Sequence, residues 1–225
     1  MPRTTDVVVI RTMRGAMTNY NYLVVDAATG AAVLVDPSWQ PDLVMAAVEN
    51  AGARVEGILL THSHPDHIDL ARLLGQHYAC PLWMSHEEIA WSGFSAPQLV
   101  GIDETPFAVG SMTIQPTLTP GHTPGCMCYR IGDNLFSGDV LFAEGCGICP
   151  DLDGAHRMYE SLQRLRGQLR DTTRVYPGHS FGLAPGQSFA TVLRENIYLQ
   201  FGNRNDFAAF RLRKGQSRTK LFAFQ

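Results

Sequence analysis

Residues 61–67 read THSHPDH, which places three of the chain's eight histidines within six residues, beside an aspartate. Imidazole and carboxylate are the usual side chains that hold zinc or iron. His62 and His64, two apart, can reach one ion from a short extended turn. Asp66 and His67 open the next element and can face a second ion. Three more candidates stand further along: His122 in TPGHTPG (119–125), Asp139 in FSGDVLF (136–142) and His179 in YPGHS (176–180). The sum is five histidines and two carboxylates, one of them able to bridge. Such a set fits two divalent ions, each with about four protein or solvent ligands. His77, His86 and His156 have no such company and read as structural or exposed.

These side chains need elements to position them. VVVI (7–10), YNYLVVD (20–26) and AAVLVD (31–36) read as strands, with a turn at 27–30. Residues 41–52 read as a helix with Pro41 in its first turn and Gly52 at its C-terminal cap. VEGILLTH (55–62) is a buried strand that delivers the histidine cluster. A helix is expected over 66–77, and Ser85 to Glu88 has the form of a capping box opening another. Residues 92–104 read as a loop. Four strands then follow in TPFAVG, MTIQPTLTP, CMCYRIG and NLFSGD. Met158, Leu162, Leu165 and Leu169 recur at helical spacing within 155–170. A strand over 173–179 and a last helix over 187–200 complete the pattern. Strands and helices alternate in two halves, an α/β arrangement in which ligands collect beyond strand ends.

The chain has 225 residues, 45% hydrophobic and 17% charged, enough to bury a sizeable core. A net charge of -3 argues against binding to a phosphate backbone, so no nucleic-acid partner is expected. No apolar run is long enough for a signal peptide or a membrane span. Five cysteines, an odd number, do not suggest a disulfide framework, and a cytoplasmic location follows as the expectation. The basic residues Arg204, Arg211, Arg213, Lys214, Arg218 and Lys220 cluster near the C-terminus against Asp206 alone. Such an end can attract an anionic partner. Cys126 and Cys128, with the CxxC of Cys146 and Cys149, could suggest a structural zinc. A C-x-C spacing fits that poorly, and buried small side chains are the better account, with Cys149 lining the entrance.

The order of these motifs resembles the metallo-β-lactamase superfamily, whose HxHxDH signature is matched by His62, His64, Asp66 and His67. The resemblance implies an αββα sandwich over residues 1–200 with the metals at one edge of the two sheets. A basic extension, 201–225, would pack on it or trail from it. It further implies His62, His64 and His122 on one divalent ion, Asp66, His67 and His179 on a second, and Asp139 between them. Zinc is the expected metal, with iron or manganese as alternatives. Asp66 would orient the attacking water and take its proton.

Asp139 stands where many true β-lactamases of this fold carry cysteine. LFAEGCG, MYESLQRL and TRVYPGH look like glyoxalase II, the hydroxyacylglutathione hydrolases, which cleave thioesters. That family usually places a basic residue after GCG, a tyrosine two further on, and another tyrosine two residues past the last metal histidine. Here the positions hold Ile148, Pro150 and Phe181, so polar handles for glutathione are missing. GCGICPDLDGAHRMYESLQRL, YPGHSFGLAPGQSF, ENIYLQF and FAAFRLRKGQS resemble the stand-alone zinc hydrolases of trans-acyltransferase polyketide clusters. The implied substrate is an acyl thioester on an acyl carrier protein or related pantetheine. Ile148, Cys149 and Phe181 would contact it, and Arg211, Arg213 and Lys214 would meet the acidic carrier or its phosphate. Three other readings remain open: glyoxalase II itself, a persulfide dioxygenase with one iron on His62, His122 and Asp139, and a carrier-binding accessory protein without turnover.

Overall fold

A computed structural model of the chain describes residues 5–214; Arg218 and Lys220 of the basic extension lie outside them. The elements run β1 (Thr5–Arg14), β2 (Met17–Asp26), β3 (Ala31–Val35), α1 (Pro41–Asn50), β4 (Arg54–Leu59), α2 (Pro65–Ile68), α3 (Ala71–His77), β5 (Leu82–Ser85), α4 (His86–Ser92) and β6 (Leu99–Ile102). The second half runs β7 (Phe107–Val109), β8 (Met112–Leu118), β9 (Met127–Ile131), β10 (Asn134–Gly138), α5 (Leu152–Gln168), β11 (Arg174–Pro177), β12 (Gln187–Ser188), α6 (Phe189–Glu195), a 3-10 turn (Ile197–Gln200) and α7 (Arg204–Arg211).

Alternating side chains of β2 and β3 point to opposite faces. Tyr22, Val24, Val33 and Val35 enter one apolar cluster with Ile114, Tyr129 and Phe136. Leu23, Ala32 and Leu34 enter another with Val44 and Val48 of α1 and Leu74 of α3. A third cluster joins Cys126, Cys128 and Leu135 to Met158 and Leu162 of α5, Val192 of α6 and Phe207 of α7. Helices, sheet, sheet, helices: this is the αββα sandwich. One sheet has the order β1-β2-β3-β4-β5-β6 and the other β12-β11-β10-β9-β8-β7. No described helix is long and apolar enough to cross a membrane.

Several elements differ from the sequence expectation for local reasons. The helix expected over 66–77 is split into α2 and α3. Asn19 Nδ2 donates to the Asp66 carbonyl at 2.6 Å, and the Leu70 amide donates to Pro37 at 3.1 Å. A helical bond between Asp66 and Leu70 is therefore replaced by two tertiary ones. The 92–104 loop contains β6, a four-residue edge strand with a glycine, too short to show a period. The helix expected over 187–200 breaks at Asn196, which accepts from the Tyr198 amide and donates to the Phe142 and Gly145 carbonyls. In the basic extension, α7 packs on α5, and Phe207 is fully buried in the same cluster.

Candidate metal centre

Every candidate ligand follows the C-terminal end of a strand or opens the helix after it. His62 and His64 follow β4, Asp66 and His67 lie in α2, His122 follows β8, Asp139 follows β10 and His179 follows β11. Both sheets thus deliver ligands to one edge of the sandwich. His64 Nδ1 lies 3.1 Å from His62 Nε2 and 2.9 Å from His122 Nε2. Beside this trio, Asp66 Oδ2 lies 3.7 Å from His67 Nε2 and 3.3 Å from His179 Nε2. Asp139 stands between them, with carboxylate oxygens 3.5 Å from the Nε2 atoms of His67, His122 and His179. Both trios are geometrically able to hold a cation.

The donor set fits a divalent ion. His67 Nε2 and Asp139 Oδ1 are buried and have no hydrogen-bond partner. Leaving such atoms unsatisfied costs about 1–3 kcal/mol each, and a shared cation would relieve both. The opposite ring nitrogens are already committed. His62 Nδ1 meets Thr61 Oγ1 at 3.1 Å, and His67 Nδ1 meets Asp36 Oδ2 at 2.9 Å. His122 Nδ1 donates to the Ile148 carbonyl at 2.7 Å, and His179 Nδ1 to Thr18 O at 3.0 Å. Each of these contacts directs Nε2 and its lone pair inward, as partners behind metal ligands do.

Charge in the centre is strongly coupled. Burial opposes ionisation of Asp139, but the charges of His179 and His67 outweigh it and hold the carboxyl well below its usual range. Asp66 is lowered likewise: burial raises it, and the hydrogen bond from His179 with the charge of His67 overcomes this. Burial lowers His179, yet Asp139 and Asp66 push it up to about 11 without a cation. His62 is lowered, chiefly by burial and then by the His67 charge.

Three supporting residues escaped the sequence reading. Asp36 accepts from the Thr61 amide and hydroxyl and from His67, at a positive φ of 48°. Its signal was an aspartate ending an apolar strand. Asn19 Nδ2 lies 3.3 Å from Asp66 Oδ2 and helps aim it. Glu88 looked like the second half of a capping box. Ser85 does cap α4 by accepting from the Glu88 amide. The Glu88 carboxylate turns elsewhere, accepting from the Ser63 amide and hydroxyl, the Thr123 hydroxyl and the Gly125 amide at 2.6–3.1 Å. It clamps the loops carrying His62, His64 and His122.

The expected substrate contacts divide. Ile148 and Phe181 are 39% and 37% exposed and flank His122 and His179, with the Phe181 ring 6.4 Å from the His179 ring. Cys149 does not line an entrance: it is 5% exposed and its thiol faces the Gly147 carbonyl. Burial pushes it up to about 11, so it is a neutral thiol. Arg211 is not a surface contact either. It is 4% exposed, because its guanidinium donates to Gly147 O at 2.9 Å and Tyr198 Oη at 3.2 Å. Arg213 lies over the Phe210 ring, and Lys214 is exposed. Among the described residues, no group able to hold a metal includes a cysteine.

Fold and site together define a metal-binding αββα protein, and the chain belongs to the metallo-β-lactamase superfamily, whose pattern matches residues 15–179. Among individual relatives, it is 42% identical to the "Probable polyketide biosynthesis zinc-dependent hydrolase BaeB" of Bacillus velezensis, over all of both chains. It is 39% identical to PksB of Bacillus subtilis, which carries the same description, over 92% of this chain and 93% of that one. A hydroxyacylglutathione hydrolase of Rhizobium etli is 34% identical over 81% of this chain and 70% of its own. Among solved structures, ETHE1 from Myxococcus xanthus superposes with a TM-score of 0.81 at 30% identity, covering 95% of this chain and 94% of that one.

Proposed function

We propose that the protein is a zinc-dependent hydrolase of acyl thioesters carried on the pantetheine arm of an acyl carrier protein, acting in polyketide biosynthesis in the cytoplasm. The observation that carries the reading is the convergence of His67, His122 and His179 on Asp139, with His67 Nε2 and Asp139 Oδ1 buried and without a hydrogen-bond partner. The names of BaeB and PksB support zinc and the polyketide context. The apolar rim of Ile148 and Phe181 supports an acyl-pantetheine over a charged tripeptide. Five free, buried cysteines suit a reducing compartment.

His62, His64 and His122 would hold one ion, and Asp66, His67 and His179 the other, with Asp139 between them. Bound there, divalent ions would lower the pKa of a water toward about 7 and polarise the substrate carbonyl. Asp66, aimed by Asn19 and His179, orients the attacking water and receives its proton. Water oxygen adds to the thioester carbon, the carbon–sulfur bond breaks, and the products are a carboxylic acid and a thiol. Because Asp66 is held ionised, it passes the proton on rather than keeping it. A thiolate needs little acid help to leave. Ile148 and Phe181 border the acyl or pantetheine path, while Arg213 and Lys214, beyond the end of α7, face the carrier.

Thiol release by the zinc-loaded protein is the test, with acyl carrier protein and lactoylglutathione offered in parallel. Faster release from the carrier is expected. Faster release from glutathione would overturn the carrier reading and favour the hydroxyacylglutathione hydrolases. Release from neither, with oxygen uptake on a persulfide and one bound iron, would favour a persulfide dioxygenase.

A further inference from the structure

Among the described residues of the C-terminal region, Arg211 is the most deeply buried basic side chain, and what it holds leads to the metal centre. Its Nε donates to the Gly147 carbonyl at 2.9 Å, and its Nη1 donates to Tyr198 Oη. The Gly147 amide donates to the backbone carbonyl of Asp139 at 2.9 Å. The next carbonyl, that of Ile148, accepts from His122 Nδ1. Two peptide units therefore stand between the guanidinium and two of the ligand residues. The fit is tight. A Cβ at Gly147 would lie 2.1 Å from Asp139 O and 3.0 Å from His122 Nδ1. Nothing but glycine fits, so the loop has no side chain of its own there to hold it in place. Its anchors come from outside: Asn196 at the Gly145 carbonyl, and Arg211 at Gly147.

We infer that Arg211 is a positioning residue for the metal centre: it fixes the Gly147–Ile148 peptide and with it the adjoining Ile148 carbonyl, which sets the tautomer and orientation of His122. Helix α7 thereby becomes part of the site defined by His62, His64 and His122. The inference rests on the reading of His122 as a metal ligand. The physical cause is that a buried carbonyl accepting from a ligand's second nitrogen sets where the first one points. A charge-assisted bond to the neighbouring carbonyl keeps that peptide from rotating.

The test is stepwise zinc affinity by chelator competition on the full chain, with histidine side-chain NMR to identify which site empties. Arg211→Met keeps the length and loses the donors; Arg211→Lys keeps one donor. Val48→Ala removes packing beneath α1, in a core cluster that contains no residue of α7, and controls for general destabilisation. Arg211→Met is expected to weaken the His62–His64–His122 site about 10–100-fold and to broaden or shift the His122 Nδ1–H signal. The Asp66–His67–His179 site should change far less, and Arg211→Lys should recover part of the loss. Val48→Ala should lower Tm and leave both affinities in place. Unchanged first-site affinity in Arg211→Met overturns the inference. So does an equal loss in Val48→Ala, and, should Arg211→Met not fold, so does wild-type affinity in Arg211→Lys with an altered His122 signal. Two zinc ions bound without thioester cleavage would sink the proposed activity and leave this inference standing. No zinc bound by the wild-type protein would sink both.

Discussion

Single side chains in this centre do two jobs at once, and the pKa directions show it. Asp139 lies 3.5 Å from three Nε2 atoms, one of them in the first trio and two in the second. Asp139→Ala should therefore lower bound metal and turnover together, with turnover falling at least about 100-fold; full activity with two metals retained would contradict its assignment. A metal held by His179 would also have to displace its proton. Without a cation this imidazole is raised to about 11, with burial opposing and Asp139 and Asp66 prevailing. The sign follows. A proton on a raised histidine stabilises the metal-free fold fully below about pH 6.5, and that contribution is lost as pH rises through about 11. Zinc competes with that proton, so affinity should climb with pH by up to about tenfold per unit over the neutral range. Calorimetry in buffers of different ionisation enthalpy should show proton release on zinc addition. No release would mean that His179 is already neutral.

At the scale of elements, the centre depends on clamps between segments far apart in sequence. Glu88 on α4 ties the Ser63 loop to the Thr123 loop through four donors, with both oxygens occupied. Glu88→Gln turns one acceptor into an amide facing amide and hydroxyl donors. A loss of about 2–3 kcal/mol is expected, read as a lower denaturation midpoint together with weaker zinc binding at the His62 site. A stability loss with zinc affinity intact would confine Glu88 to folding. The capping box at Ser85 was legible because it is local: four consecutive residues suffice to write it. The real target of the Glu88 carboxylate was not legible. It lies 25 residues back and 35 residues ahead, and no local pattern encodes a partner at such separations. The split of the 66–77 helix has the same origin, since Asn19 and Pro37 are remote from it.

For the whole molecule, metal bound by the folded state alone would couple to folding. The seven candidate ligands come from both sheets, so a cation held by them would staple the two halves of the sandwich. Zinc at 100 times its dissociation constant should add about 2.7 kcal/mol, which for a chain of this size raises Tm by about 5–10 °C. A chelator should remove that increment in a calorimetric scan, and a Tm indifferent to the chelator would argue against a cation in the centre. Docking to a carrier would also be a property of the whole surface. Arg213 and exposed Lys214 follow α7, whose Arg211 is fastened beside Ile148 at the rim. If they steer an acidic carrier, raising salt from 0.05 to 0.5 M should raise KM for the carrier substrate several-fold. The kcat should hold, and a small pantetheine thioester should be indifferent. Equal salt sensitivity of both substrates would remove the basic end from the interface.

By itself the sequence determined the candidate ligand set, the alternation of strands and helices, and the family. Those features are written in side-chain chemistry and in short periodic runs, which need no knowledge of the fold. Only the tertiary structure decided how the ligands are aimed. Asp36, Asn19 and Glu88 act across the sandwich, and their roles exist only once remote backbone segments meet. It likewise moved Arg211 and Cys149 from the expected surface to the interior, because burial belongs to packing and not to residue type. A guanidinium at the end of a basic segment reads as a surface charge. Here it is enclosed, since the Gly147 carbonyl and Tyr198 satisfy it better than water reaching a closed core could.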